Sequence, residues 1–265
     1  GGGSQSMFVT DGARVDFSAL TTLVGSISIL TNSGGMLDMS SLTSMPTGTT
    51  VSSSNGIVDL SALTTLNGTY SVQGESGIIT SPNLQSVARL FISNGASITF
   101  NDLTTVTEFL RAEQAGSSLV LPAITALTDM EVNVSSGGTI TLENLSTATD
   151  VRLSVDGDGI LDVSALATLT SGQIALSSAD ARIEFGALTN IDDTGVTSYS
   201  ISESIGIFFR PILEGSSLSF PNLTTIDINT TNLSLTMEAS TLGALNLPAL
   251  TTINVADRVN LDMEA

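Results

Sequence analysis

The chain has no cysteine, no histidine, no lysine and no tryptophan in 265 residues. Without cysteine there are no disulfides, no thiolate metal ligands and no thiol nucleophile, although a long repeat array does not need disulfides and the compartment is not settled by their absence. Without histidine or lysine, proton transfer would fall to carboxylates, arginine or tyrosine, which argues against an enzyme. Seven arginines face 26 Asp and Glu for a formal charge of −19. A phosphate backbone or anionic bilayer would be repelled, so nucleic acid is excluded as a partner. No run of 18 apolar residues exists, which excludes insertion into a membrane as a helix. Aromatic residues are only 4%, so stacking platforms for sugars are scarce. Acidic, Ser/Thr/Gly-rich, lysine-free composition predicts an exported protein, secreted or held at the cell surface.

What the chain does have is a period. A leucine anchor recurs at Leu20, Leu42, Leu63, Leu84, Leu103, Ile124, Leu145, Leu166, Leu188, Leu223 and Leu250. The steps are 22, 21, 21, 19, 21, 21, 21, 22, 35 and 27 residues. A fixed period of this size marks a solenoid. Five and three places before the anchor stand apolar columns, Val15/Phe17, Leu37/Met39, Val58/Leu60, Ile98/Phe100 and Leu161/Val163 among them, with Ser81 as the polar exception. The residue between the two columns is usually polar, the in-out-in alternation of a half-buried strand. Three places after the anchor comes another apolar position, then a polar break, then a second alternating run such as Tyr70/Val72 or Leu90/Ile92. Gly, Asn and Ser clusters close each copy where positive φ is expected. Charged residues at 12% and abundant β-branched residues speak against a helical solenoid. The expected fold is all-β, a single-stranded parallel β-helix of about 11 coils of roughly 21 residues, with two strands and two or three corners per coil. Residues 1–12 are read as linker and lead-in, and 13–265 as solenoid with an insertion within about 189–217.

The phrases Phe220-Pro221-Asn222-Leu223-Thr224-Thr225-Ile226 and Leu247-Pro248-Ala249-Leu250-Thr251-Thr252-Ile253 resemble the repeat of receptor L domains and of leucine-rich surface proteins of BspA type. The resemblance covers residues 15–263 and rests on a short motif. It implies an extracellular binding or adhesion module with β-helical or horseshoe coils. The chain departs from receptor L domains in having no cysteine and from leucine-rich repeats in having no helical half, so no ligand residue carries over.

Three features bear on chemistry. Thr-Thr pairs follow five of the eleven anchors, for example Thr64-Thr65 and Thr104-Thr105, and one Thr stands in the same two columns after most of the others. They are expected to form a ladder whose hydroxyls satisfy corner backbone groups, with ice binding by threonine rows as an alternative. Asp16, Asp38 and Asp59 stand between the paired apolar columns and should form a like-charged row. With Asp156 and Asp158 in a glycine-rich corner, they are the candidate metal ligands, for Ca²⁺, which favours several oxygens; no cofactor is required. The step from Leu188 to Leu223 carries Tyr199, Phe208, Phe209 and Arg210, the candidate partner-binding residues, because insertions in solenoids project as loops. The last copy closes on Val259, Leu261 and Met263, which predicts a longer array or end-to-end self-association.

The function expected from all this is a non-enzymatic extracellular structural or adhesive module whose partners are proteins or glycans on a surface or matrix. A carbohydrate-active β-helix lyase or hydrolase is the alternative from another class.

Overall fold

The computed structural model describes residues 5–178, 180–192, 206–211, 217–228, 234–238, 244–255 and 261–264. Every regular element among them is a strand and every strand pairing is parallel, forming a β-solenoid of about nine turns. The chain divides into two compact units, Gly1–Ala123 and Ile124–Ala265.

One coil begins with a three-residue strand, such as Ile57–Asp59, whose middle residue points inward. The leucine anchor then closes a β-turn. Leu42 donates its N–H to the Met39 carbonyl at 3.0 Å, Leu63 to Leu60 at 2.9 Å, Leu145 to Leu142 at 3.0 Å and Leu166 to Val163 at 2.9 Å. Both ends of the turn are apolar and buried; Met39, Leu42, Leu60 and Leu63 are at most 1% exposed. This explains the three-residue spacing of those columns: turn ends lie close together and can share one core. A long strand follows, as in Thr65–Gln73, Thr105–Glu113 and Thr147–Val155.

The polar break lies inside this long strand, as a bulge. Opposite Thr128↔Thr149 and Met130↔Val151, the register skips Asp129 and Asp150, which take φ of 51° and 52°. Passing over one ladder position resets the inward phase between Leu127 and Met130 and leaves the ladder continuous on either side. In the next coil Gly172 stands opposite Val151 with φ of 128°, and a Cβ there would sit 2.3 Å from the Val151 carbonyl oxygen. Each regular coil therefore has one short and one long strand.

In the first unit, Arg14–Asp16, Met36–Asp38, Ile57–Asp59 and Ile78–Thr80 form one stack of short strands. Ser97–Thr99 pairs with Ser118–Val120 in another. Residues 5–9, read from sequence as lead-in, form the strand Gln5–Val9, paired with Ile27–Asn32 from Gln5↔Ile27 to Val9↔Thr31. Its alternation was hidden by the glycines before it. In the second coil the long strand is cut into Ser44–Met45 and Thr50–Ser54 by Pro46, which has no N–H to give the ladder.

In the second unit, Thr139–Thr141, Ile160–Asp162 and Arg182–Glu184 stack in register. The four, two and three short strands of these stacks mark the regular turns, fewer than the eleven anchors suggest. After the register break, Ser217–Ser219 and Ala244–Asn246 pair with each other as a separate two-stranded sheet. The break itself has a clear place. The first half of Thr168–Leu176 pairs with Asn190–Asp192, and its second half with Gly206–Pro211. The next copies repeat the split as Thr225–Ile228 with Ser234–Glu238, and Thr252–Val255 with Leu261–Glu264. The added length of the 35-residue step thus falls between Asp192 and Gly206, where the regular long strands pass over one ladder position.

Candidate functional site

The acidic row is built as its spacing implies. Asp16↔Asp38 and Asp38↔Asp59 are direct register partners. Each carboxylate also has a local task. Oδ1 of Asp16 accepts the Ser18 N–H at 2.9 Å, Asp38 the Ser40 N–H at 3.0 Å, Asp59 the Ser61 N–H at 3.0 Å and Asp162 the Ser164 N–H at 2.9 Å. The Ser18 hydroxyl donates to the same Asp16 oxygen at 2.6 Å, and Ser61 does likewise to Asp59. These are Asx turns that hold the corner before the leucine anchor. The Ser18 hydroxyl and N–H hold the Asp16 carboxyl below its ordinary pKa, with a smaller push from Arg14. Asp156 accepts the N–H of Gly157 at 2.8 Å in its own corner. Among the described residues no group of three or more acidic residues is placed to hold a metal ion. The signal for this role was in the sequence as Asp-x-Ser two residues before the anchor.

The first threonine after the anchor forms a ladder. Hydroxyls of Thr64, Thr104, Ser146, Thr224 and Thr251 donate to the carbonyls of Thr43, Gln85, Thr125, Thr189 and Thr224 at 3.1 to 3.3 Å, each one coil earlier. The same carbonyls accept backbone N–H groups, such as Thr64 N–H to Thr43 at 2.9 Å.

Of the partner-binding candidates, Phe208, Phe209 and Arg210 belong to the strand Gly206–Pro211, opposite Gln173, Ile174 and Ala175 on one side, with Phe208 and Phe209 opposite Thr236 and Met237 on the other. They are ladder residues of a sheet, not the tip of a projecting loop. Tyr199 lies outside the described residues.

Sequence reasoning missed two places in the first unit. On the outer face of adjacent long strands, Arg89 stands opposite Phe109, and Phe91 opposite Arg111. The Arg111 guanidinium lies over Phe91, 5.8 Å from the ring centroid. Arg89 is ion-paired with Glu108 and Arg111 with Glu113, so the two cations are neutralised in place. The checkerboard arises only from register, since its members are 19 to 20 residues apart.

The second is a cleft. Ile78–Thr80 ends one stack of short strands and Ser97–Thr99 begins another, so their facing edges are unpaired with each other. In flanking coils the donor that follows the short strand reaches the next coil: Met39 N–H to Asp59 at 2.9 Å, Leu60 to Thr80 at 2.8 Å and Phe100 to Val120 at 3.0 Å. The opening holds about 450 Å³ between residues 79–83 and 98–102. Behind two of its lining residues stands Tyr70, fully buried, whose hydroxyl donates to the Ile79 carbonyl at 2.8 Å and lies 3.0 Å from Ser81 Oγ. Phe100 meets the Tyr70 ring edge-on, with centroids 5.2 Å apart. Small Ser81, the exception in its apolar column, leaves the room that Tyr70 fills. Burial raises the Tyr70 phenol well above its ordinary pKa against the opposing effect of Ser81, so it stays neutral. The rim carries Thr80, Pro82, Asn83, Thr99, Asn101 and Asp102, all exposed. The Asn83 amide donates to the Ser61 carbonyl at 2.8 Å.

No family model, no curated protein and no solved structure matches the chain.

Proposed function

We propose that the chain is a non-enzymatic structural or adhesive β-solenoid module of an extracellular or cell-surface protein, binding protein or glycan on a surface or matrix. One observation carries it: the side chains able to do chemistry serve the coil. Carboxylates cap corners, threonine hydroxyls bond to the previous turn, and the two ion pairs lie on an open sheet face. Such a chain presents a long regular surface. The leucine-rich surface repeats that its anchor phrases resemble work in the same way, and the lysine-free acidic composition suits export.

The test is paired. Immobilised protein is probed against matrix proteins and a glycan panel, while the same protein is incubated with neutral and uronic-acid polysaccharides and assayed for new reducing ends and for unsaturated uronates. Saturable retention without product formation is expected. Product released in proportion to protein would overturn the reading in favour of a β-helix lyase or hydrolase.

A further inference from the structure

The cleft between the fourth and fifth coils has the size and chemistry of a ligand site, and its chemistry is selective. About 450 Å³ falls within the roughly 300–1,000 Å³ of small-molecule sites. Among its lining residues Asp102 is the one ionisable side chain, and no arginine lines it. An anionic ligand would meet one like charge and no counter-ion. A divalent cation would find a single carboxylate, too few charged oxygens for a site of useful strength. What the rim offers is neutral hydrogen bonding: hydroxyls of Thr80 and Thr99, amides of Asn83 and Asn101, and the Asp102 carboxylate. Two short-strand edges with no partner strand across the opening add backbone donors and acceptors. The apolar side of the cleft is Ile98, half-buried, and Phe100, which is almost fully buried. Hydroxyl-dense rims over a small apolar patch match a sugar's polar edges and its C–H face.

We propose that this cleft binds a neutral carbohydrate of about disaccharide size, with Asp102 and Asn101 bonding its hydroxyls. The inference deepens the adhesive reading above and rests on it, naming the ligand class and the place. Tyr70 is a positioning residue: it holds the Ile79 carbonyl that bounds the cleft.

The chain supplies its own reporter. It has two tyrosines and no tryptophan, so a Tyr199→Phe protein carries Tyr70 alone, bonded to Ile79 and Ser81 of the cleft wall. Cellobiose, maltose, lactose and N,N′-diacetylchitobiose are titrated to millimolar levels while the near-ultraviolet circular dichroism of Tyr70 is followed, with calorimetric titration in parallel. At least one neutral sugar should give a saturable change, and digalacturonate none. Asn101→Ala with Asp102→Ala should weaken that binding at least tenfold, with the unfolding midpoint within error of the parent, whereas Glu143→Gln in the other unit should leave it unchanged. If none of the four sugars binds, or if the double variant binds as the parent does, the proposal is wrong. The adhesive reading has a separate fate: retention on matrix proteins without sugar binding sinks the cleft and leaves the module, and retention on neither sinks both.

Discussion

Replacing Tyr70 with phenylalanine removes the one oxygen bonded to Ile79 and Ser81 of the cleft wall and keeps the ring with its edge-on contact to Phe100. A phenol has a single proton. Because the Ile79 carbonyl can only accept, Tyr70 donates to it at 2.8 Å, and the Ser81 hydroxyl must donate to Tyr70 at 3.0 Å. Loss of the oxygen therefore strands two buried groups, a carbonyl and a hydroxyl. Leaving a buried group unsatisfied costs about 1–3 kcal/mol, so Tyr70→Phe should destabilise the first unit by about 2–3 kcal/mol. Ser81→Ala removes only one donor and leaves the bond to Ile79, for about 1 kcal/mol. In the double variant the Ser81 donor is no longer stranded, so the two changes should couple by about 1 kcal/mol in a double-mutant cycle. Urea unfolding gives the totals. Because stability in a solenoid is distributed over neighbouring repeats, amide exchange should locate the loss in the coils around Val72 and Ile92. A Tyr70→Phe effect below about 0.5 kcal/mol, the scatter of ordinary surface changes, would refute the assignment of Tyr70 as the group that satisfies the opened ladder.

Burial places the same phenol above its ordinary pKa of 10.0, so the contribution is present below that value and lost as pH rises above it, where the unfolded chain releases a proton that the folded chain keeps. Stability in alkaline urea titrations should accordingly fall less steeply in Tyr70→Phe than in the parent. Asp59→Ala should cost about 1 kcal/mol by freeing the Ser61 N–H, and Asp59→Asn should recover most of it because an amide oxygen still accepts. If the row serves corners alone, millimolar Ca²⁺ leaves the melting temperature unchanged in parent and Asp38→Asn alike; a rise confined to the parent would support the calcium expectation. At Gly68 a Cβ would lie 1.9 Å from the Thr49 carbonyl oxygen, so Gly68→Ala should cost more than about 2 kcal/mol. Gly12→Ala, with φ of 73° and open space around it, should cost only the left-handed strain of about 1–2 kcal/mol. With the first threonine hydroxyls donated to backbone carbonyls, a thermal hysteresis assay should show no ice shaping.

Much of the coil was legible because its signals are local and repeated. The anchor leucine, the column three places before it and the alternation around Val58 or Leu161 each depend on one turn or one three-residue strand. Eleven copies reinforce one another. The bulge at Asp129 and Asp150 was not foreseen for an equally local reason: a polar break between apolar residues looks the same whether the chain turns or merely skips one register position. Phe208 to Arg210 looked like a loop because extra length precedes them, yet sequence spacing cannot say on which side of an insertion the ladder resumes. The role of Asp16, Asp38 and Asp59 was half visible, since the row itself follows from period and the Asx turn from the serine two places on.

The period by itself determined that this chain is a parallel stack of short β coils with leucine at one fixed corner, because inward-facing positions must be apolar in every copy. Composition by itself determined that the chain is acidic and free of lysine. Tertiary structure alone decided where the stack opens. Pairing or parting of Ile78–Thr80 and Ser97–Thr99 depends on contacts between coils, among Tyr70, Ser81 and Phe100, residues up to 30 positions apart. The Arg89/Phe109 and Phe91/Arg111 checkerboard has the same origin. Spacing along a chain specifies each coil's own shape; which side chains meet, and which edges stay open, is set by the register of one coil upon the next.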